Sequence, residues 1–244
     1  RRRQRQMCIR DRILEDDKVD MVVIGRGQLV DPDFCNKAEA GKTEEIDYCV
    51  GCNQGCYDGF ESKDSPCITC LRNPAVGREK ECELIPAEKP ETVLIAGGGI
   101  GGLEAAIILK KRGHNPILCE ATDTLGGQFL TAGEAPRKAE MKAAVLSMAE
   151  KAKRLGVDIR MNTKVTPEMI AEIKPHTFIN AIGAAPIVPP IPGNDKAFVV
   201  DSHAVLDGEA KAEGNVVVIG GGMVGMEVAC LLYTSPSPRD MRNL

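Results

Sequence analysis

The sequence of 244 residues lacks three features that would each place it in a particular class of protein. No apolar run approaches the roughly 18 residues of a membrane span, so we expect no membrane partner. The net charge is −4, without a basic excess, so we expect no nucleic-acid partner. The opening RRRQRQMCIRDR leads into no apolar segment, so we predict no secretory signal.

Regular periodicity is also missing from both ends. Residues 1–12 show neither helical nor strand spacing, and in 233–244 Pro236 and Pro238 interrupt an apolar helix. We interpret both segments as adapter or vector sequence flanking a truncated reading frame, the alternative being two disordered tails. Both are therefore set aside in the reasoning about the fold.

Cysteines, by contrast, are concentrated in one segment. Of the ten, five fall within 22 residues, at Cys49, Cys52, Cys56, Cys67 and Cys70. A secreted disulfide scaffold spreads its cysteines more evenly, so this clustering predicts a metal site in a reducing compartment, the cytoplasm. Zinc sites usually pair two C-x2-C elements, whereas C-x2-C-x3-C places three thiolates in one loop and leaves a fourth ligand downstream. That arrangement is common for iron–sulfur clusters, and zinc or a disulfide are the alternatives.

Much of the remaining chain alternates short apolar strands with amphipathic helices. This alternation predicts an α/β fold, a Rossmann-like module with a parallel sheet and helices on its faces. Strands are predicted over 20–25, 116–120, 157–165 and 177–186, helices near Asp31–Pro32 and over 139–156 and 166–175, and strand–turn–helix units over 92–113 and 215–232. The repeat of the last two units predicts two nucleotide sites. Residues 47–82 lack periodicity and would need a metal to become ordered.

The first glycine motif, Gly97-x-Gly99-x-x-Gly102, directly follows an apolar strand and opens a helix. In this context the first glycine allows the tight turn, the second lets a pyrophosphate approach, and the third permits close helix–strand packing. The helix N-terminus stabilises the phosphates. Glu120 ends the next strand, placed to accept a hydrogen bond from a ribose hydroxyl. We therefore predict a dinucleotide site here rather than a generic tight turn.

The second glycine motif, Gly220-x-Gly222-x-x-Gly225 with Glu227, repeats the pattern. It predicts a site for NAD(P)H, the alternative being a duplicated but empty half. The residue that reads the 2′ position should follow the next strand, which the sequence does not contain. NADH and NADPH therefore both stay open.

An ordered set of segments resembles a known family: VVIGRGQLVDPDF, YCVGCNQGC, CLRNPAVGRE, AGGGIGGLEAA, GGQ and IGGGMVGME. Across about residues 13–232, the set is similar to iron–sulfur flavoenzymes related to 2,4-dienoyl-CoA reductase, 2-enoate reductase and trimethylamine dehydrogenase. In that family an Old Yellow Enzyme-like TIM barrel binds FMN, a four-iron–four-sulfur (4Fe-4S) cluster follows, and an FAD/NAD(P) module completes the chain.

The resemblance implies an order of domains. The end of the FMN-binding barrel would cover 13–46, the cluster segment and linker 47–88, the FAD domain 89–196, and the start of the NAD(P) domain 197–232.

The resemblance also assigns residues. Gly25 and Arg26 would hold the FMN phosphate, the guanidinium pairing with it bidentately. Gln128 and Gly183 would belong to loops of the FAD site, which makes FAD the expected cofactor of the first glycine motif.

For the fourth cluster ligand the resemblance implies Cys70, because the last cysteine of the family precedes an Asn-Pro pair such as Asn73–Pro74. Thirteen residues separate Cys56 from Cys70, so Cys67 stays a competitor.

For mechanism, the resemblance implies a relay. NAD(P)H would give hydride to FAD, electrons would pass singly through the cluster to FMN, and reduced FMN would deliver hydride to an activated C=C bond of an enoate or enoyl thioester. The catalytic residues would belong to barrel strands outside this chain. The alternatives are a reductase like the small subunit of glutamate synthase, an amine dehydrogenase of the trimethylamine dehydrogenase type, and a zinc-stapled binding module. The oligomeric state stays open.

Overall fold

The computed structural model describes residues 20–62 and 67–234. The chain divides into two compact units, Arg1–Glu81 and Cys82–Leu244. Among the described residues, no helix has both the length and the apolar character that crossing a membrane requires.

The second unit contains a parallel sheet. Among the described residues it has four strands, β1 (Thr92–Ala96), β2 (Asn115–Cys119), β3 (Asp158–Arg160) and β4 (Thr177–Asn180), in the order β3-β2-β1-β4. All three neighbouring pairs run parallel. Parallel strands are buried on both faces, which explains the continuous apolar sequence of β1. The α/β prediction with a parallel sheet is thus confirmed.

Helices connect and cover these strands. In the second unit they are α4 (Ile100–Lys111), α5 (Gln128–Glu134), α6 (Ala139–Arg154), α7 (Pro167–Ile173), α8 (Ser202–Leu206) and α9 (Met223–Thr234). The first unit has its own short helices, α1 (Gly25–Val30), α2 (Phe34–Glu39) and α3 (Tyr57–Glu61), with a 3-10 turn over Thr43–Glu45. The other described residues of the first unit are irregular, which the lack of periodicity in 47–82 predicts for that segment.

The main core lies where α4 and α6 cover β1 and β2. On α6 the buried residues Val145, Met148, Ala149 and Ala152 recur at helical spacing and form one apolar stripe. This stripe packs in one cluster with side chains of β1, β2 and α4.

Two predicted strands are wrong. Residues 20–24 are irregular and α1 begins at Gly25, while 215–219 are irregular before α9. A parallel strand needs a neighbour that takes up its backbone N–H and C=O groups. No described strand pairs with either segment. Most of their apolar side chains are exposed as a result, 85% in the case of Val217.

Three further boundaries differ from prediction. The strands expected over 157–165 and 177–186 end at Arg160 and Asn180. Asn162 has a positive φ of 52°, which turns the chain out of the sheet. The helix expected near Asp31–Pro32 begins at Phe34, because the buried Asp31 carboxylate accepts hydrogen bonds from the backbone N–H groups of Asp33 and Asp47 instead.

The core makes a direct prediction about leucines on helices. Leu103 on α4 is fully buried, whereas Leu146 on α6 is 45% exposed. We expect Leu103→Ala to lower the free energy of unfolding of the second unit by about 2–5 kcal/mol. The matched control Leu146→Ala should change it by no more than about 0.5 kcal/mol. Urea unfolding followed by circular dichroism measures both, and equal losses would contradict the assignment of the core.

Candidate cofactor sites

The first glycine loop has the backbone geometry of a tight strand-to-helix turn. Gly97 has a φ of +104°, a region that side-chain-bearing residues rarely adopt. A Cβ added at Gly102 would overlap the carbonyl oxygen of Gly97. The first and third glycines of the motif are therefore both required by the fold itself.

Glu120 lies against this loop. Its Oε2 accepts a hydrogen bond from the backbone N–H of Gly98 at 2.7 Å. Its Oε1 accepts from the N–H and the hydroxyl of Thr122, both at 2.9 Å. Each oxygen of a carboxylate can accept two hydrogen bonds, so the side chain can hold the loop and still accept from a further donor.

Further loops come to the same edge of the sheet. The N–H of Gly126 donates to Gly98 O at 2.9 Å, and Gln128 Nε2 donates to Ala184 O at 2.6 Å. Gly183, which follows β4, has a φ of +79°. β1 thus has β2 on one side and β4 on the other, and the loops after all three strands meet at their carboxyl ends. In open α/β sheets this edge is where nucleotides bind.

Cys119, the last residue of β2, has a buried side chain, and its carbonyl oxygen accepts from the N–H of Gly97. Burial raises the pKa of its thiol, an effect that the nearby Arg160 partly opposes. The side chain therefore serves the core as a neutral thiol.

The second glycine motif repeats the turn of the first. Gly220 has a φ of +112°, and a Cβ at Gly225 would overlap the Gly220 carbonyl oxygen. The motif therefore keeps its local geometry although no strand precedes it. Helix α9 packs on α8 through a small buried cluster of Ala135, Leu206 and Val228.

Glu227 on α9 forms an ion pair with Lys138, the residue that precedes α6. The carboxylate and the ammonium group are both partly buried. The sequence did not single out Lys138, because 89 positions separate it from Glu227. A lysine and a glutamate so far apart give no sign that they form a pair. Glu227 is thus tied to the loop between α5 and α6.

In the first unit one cavity is lined by four cysteines: Cys49, Cys52, Cys56 and Cys70. None of the four takes part in a disulfide bond. Among the described residues, no three His, Cys, Asp or Glu side chains form a group that could hold a metal ion in this arrangement. The thiols surround the cavity without meeting at one point.

The segment that carries Cys70 is held beside the cysteine loop by Gly55. The N–H of Thr69 donates to Gly55 O at 2.9 Å, and a Cβ at Gly55 would lie 2.6 Å from the Thr69 carbonyl oxygen. Cys67 instead lies outside the cavity, exposed, with its Sγ 3.3 Å from where a Cβ of Gly77 would be. The structure therefore brings Cys70, and not Cys67, to the other three.

Two arginines also line this cavity. Arg26 is exposed and donates from Nη1 to Asn53 Oδ1 at 2.8 Å. The structure thus places Arg26 beside the cysteine loop, and Gly25 begins α1 next to it. Arg72 is buried and pairs with Asp47 at 3.0 Å. Sequence reasoning missed Arg72, because nothing in CLRNP marks its arginine as buried.

The lining of the cavity fits an iron–sulfur cluster by two observations. The buried Nε–H of Arg72 has no acceptor among the residues that the structure describes. The N–H of Gly51 already donates to Cys49 Sγ at 3.3 Å. Four cysteines with N–H donors in the surrounding wall are the ligands and outer contacts that such clusters use.

Comparison with known proteins identifies the second unit. Residues 92–235 match the family of pyridine nucleotide-disulphide oxidoreductases. The chain belongs to this family. It is 39% identical to a bilirubin reductase of Mediterraneibacter gnavus (strain CC55_001C), an alignment that covers 90% of this chain and 34% of the relative. A cinnamate reductase of Clostridium sporogenes (strain ATCC 7955) is 35% identical over 88% of this chain and 32% of its own length.

A solved structure extends the similarity to both units. The 2-naphthoyl-CoA reductase in complex with 2-naphthoyl-CoA matches with a TM-score of 0.86 at 28% identity, over 91% of this chain and 34% of that chain. The resemblance to Old Yellow Enzyme-like flavin and iron–sulfur reductases is thus confirmed. This oxidoreductase chain spans about a third of the length of the relatives it matches.

Two neighbouring glycines test the geometry of the first loop. Gly102→Ala should lower the free energy of unfolding by about 1–3 kcal/mol, because its Cβ would overlap Gly97 O and force α4 off β1. At Gly101, one position earlier on α4, an added Cβ meets no atom within 4 Å. Gly101→Ala should therefore be neutral or stabilise by up to about 1 kcal/mol. Thermal unfolding decides, and a Gly102→Ala protein as stable as wild type would contradict the close approach.

Proposed function

We propose that this chain is the electron-supply part of an NAD(P)H-dependent flavin oxidoreductase that reduces activated C=C bonds of enoates or enoyl thioesters. The observation that carries the proposal is the four-cysteine cavity in a chain that also contains two glycine-loop motifs. Two relatives, the cinnamate reductase and the 2-naphthoyl-CoA reductase, are named for substrates in which a C=C bond is conjugated to a carbonyl group.

FAD is the cofactor that we assign to the first glycine loop. Gly97, Gly99 and Gly102 would leave room for its pyrophosphate at the N-terminus of α4. Glu120 would accept from the ribose while it holds Gly98. Gln128 and Gly183 would complete the site from the two adjacent loops.

NAD(P)H is assigned to the second motif, Gly220, Gly222 and Gly225, on the same reasoning about the turn. Glu227 would act there as a positioning residue, because its carboxylate is engaged by Lys138. The ion pair would fix the start of α9 against the loop that leads into α6.

Cys49, Cys52, Cys56 and Cys70 would hold a 4Fe-4S cluster. When bound, FAD accepts a hydride and such a cluster carries single electrons, the combination that passes reducing equivalents from NAD(P)H to a second flavin. Residues 13–46 would then be the end of an FMN-binding barrel, with Gly25 and Arg26 near the FMN phosphate. Of this segment, 13–19 lie outside the described residues.

Metal and sulfide analysis after anaerobic purification tests the cluster. We expect iron and acid-labile sulfide in near-equal amounts in the wild-type chain. Cys70→Ser should lose most of both, because one of four ligands is removed. The matched control Cys67→Ser should keep both, since Cys67 lies outside the cavity. Stoichiometric zinc without sulfide, or equal losses in the two variants, would contradict the proposal.

The substrate class is tested on the longer protein that contains these residues. Under anaerobic conditions we expect NAD(P)H oxidation that depends on cinnamate or an enoyl thioester. Oxidation of dimethylamine with an external electron acceptor, without enoate reduction, would favour the amine dehydrogenase alternative instead.

A further inference from the structure

We propose that Arg72 is a positioning residue that raises the reduction potential of the cluster site, by donating to sulfur from Nε and by placing a buried positive charge in the cavity wall. This inference rests on the proposed function, since it concerns the group that the four cysteines would hold. It assigns a role to a residue that the cysteine motif does not include.

The side chain of Arg72 is buried to an unusual degree for an arginine. Only 5% of it is exposed, and its partner Asp47 is 17% exposed. Arginine is almost never fully buried unless it is paired, and here Nη2 makes that pair at 3.0 Å. The guanidinium therefore contributes a fixed cation to the wall of the cavity.

The pair with Asp47 does not engage the Nε–H of Arg72. Its Nε–H is buried and finds no acceptor within the described parts of the chain. Buried polar groups nearly always have a hydrogen-bond partner, because an unmet donor costs about 1–3 kcal/mol. A thiolate or inorganic sulfide in the cavity would supply that acceptor, and the donor would favour the more negative state of the cluster.

The electrostatic sign follows from the electron that the site would accept. One-electron reduction adds one negative charge, so a nearby cation favours the reduced state and raises the potential. The Asp47 carboxylate opposes this effect in part. Arg26 also lines the cavity, but it is exposed, so water screens its charge more strongly.

A purely structural role for Arg72 makes a different prediction. The ion pair with Asp47 ties the Cys70 segment to the residues before Cys49. If Arg72 only connected these two segments, removing either Arg72 or Asp47 would loosen the site in the same way. The charge role instead requires that the two removals shift the potential in opposite directions.

The experiment is a reductive titration of the 244-residue chain with dithionite, in which electron paramagnetic resonance follows the reduced cluster. Arg72→Gln should lower the equilibrium constant for reduction at least tenfold, about 59 mV for one electron. Asp47→Asn should shift the potential upward. Arg72→Lys should fall between wild type and Arg72→Gln, because it keeps the charge and loses the Nε–H.

Arg78→Gln is the matched control, because Arg78 is an exposed arginine of the same segment whose Nη2 donates to the Pro74 carbonyl oxygen at 3.2 Å. It should leave the potential unchanged. The inference would be overturned if the Arg72→Gln chain had the same reduction potential as this control. A lower potential in the Asp47→Asn chain would overturn it as well. If Arg72→Gln fails to load iron, Arg72→Lys and Asp47→Asn still decide by the sign of their shifts. A wild-type chain without iron and sulfide would refute the proposed function itself.

Discussion

The close approach of α4 to β1 is the contact on which the second unit depends. The carbonyl oxygen of Gly97 occupies the position where a side chain at residue 102 would begin, so the helix can pack directly on the strand. Leu103 and Ala106 then reach the buried cluster that β2 and α6 complete. The same contact places the first turn of α4 at the carboxyl edge of the sheet. Its backbone N–H groups can there donate hydrogen bonds to a bound anion.

That edge is held in place by hydrogen bonds within the chain. Glu120 bonds to Gly98 and Thr122, and Gly126 bonds back to the same glycine loop. A loop fixed by its own hydrogen bonds does not have to be ordered on binding, so less of the binding free energy is lost to conformational entropy. The Glu120 carboxylate therefore holds the loop, a role that the sequence motif does not suggest, in addition to the contact with ribose that we propose.

Sequence reasoning succeeded for helices and strands whose packing partners lie nearby in the sequence. β1, α4 and α6 have continuous apolar runs or helical stripes, and each finds its neighbours within the same alternating βα sequence. It failed for 20–24 and 215–219, because an apolar run indicates burial but cannot supply the adjacent strand. It favoured Cys70 over Cys67 only through the family resemblance, since the hydrogen bond from Thr69 to Gly55 that holds the Cys70 segment beside the cysteine loop is a contact in space.

The charges around the cysteine cavity follow from the chemistry of its lining. Cysteines bind metals as thiolates, so the four ligands of the proposed cluster would bring together four negative charges that repel each other. The guanidinium groups of Arg26 and Arg72 in the cavity wall would offset this repulsion, and the N–H of Gly51 donates to Cys49 Sγ. Of these, the buried Arg72 side chain is least screened by water. Its pair with Asp47 leaves the Nε–H without an acceptor among the described residues. The cysteine spacing predicts the ligands of the proposed cluster, but the charge balance of that site depends on residues that belong to no motif.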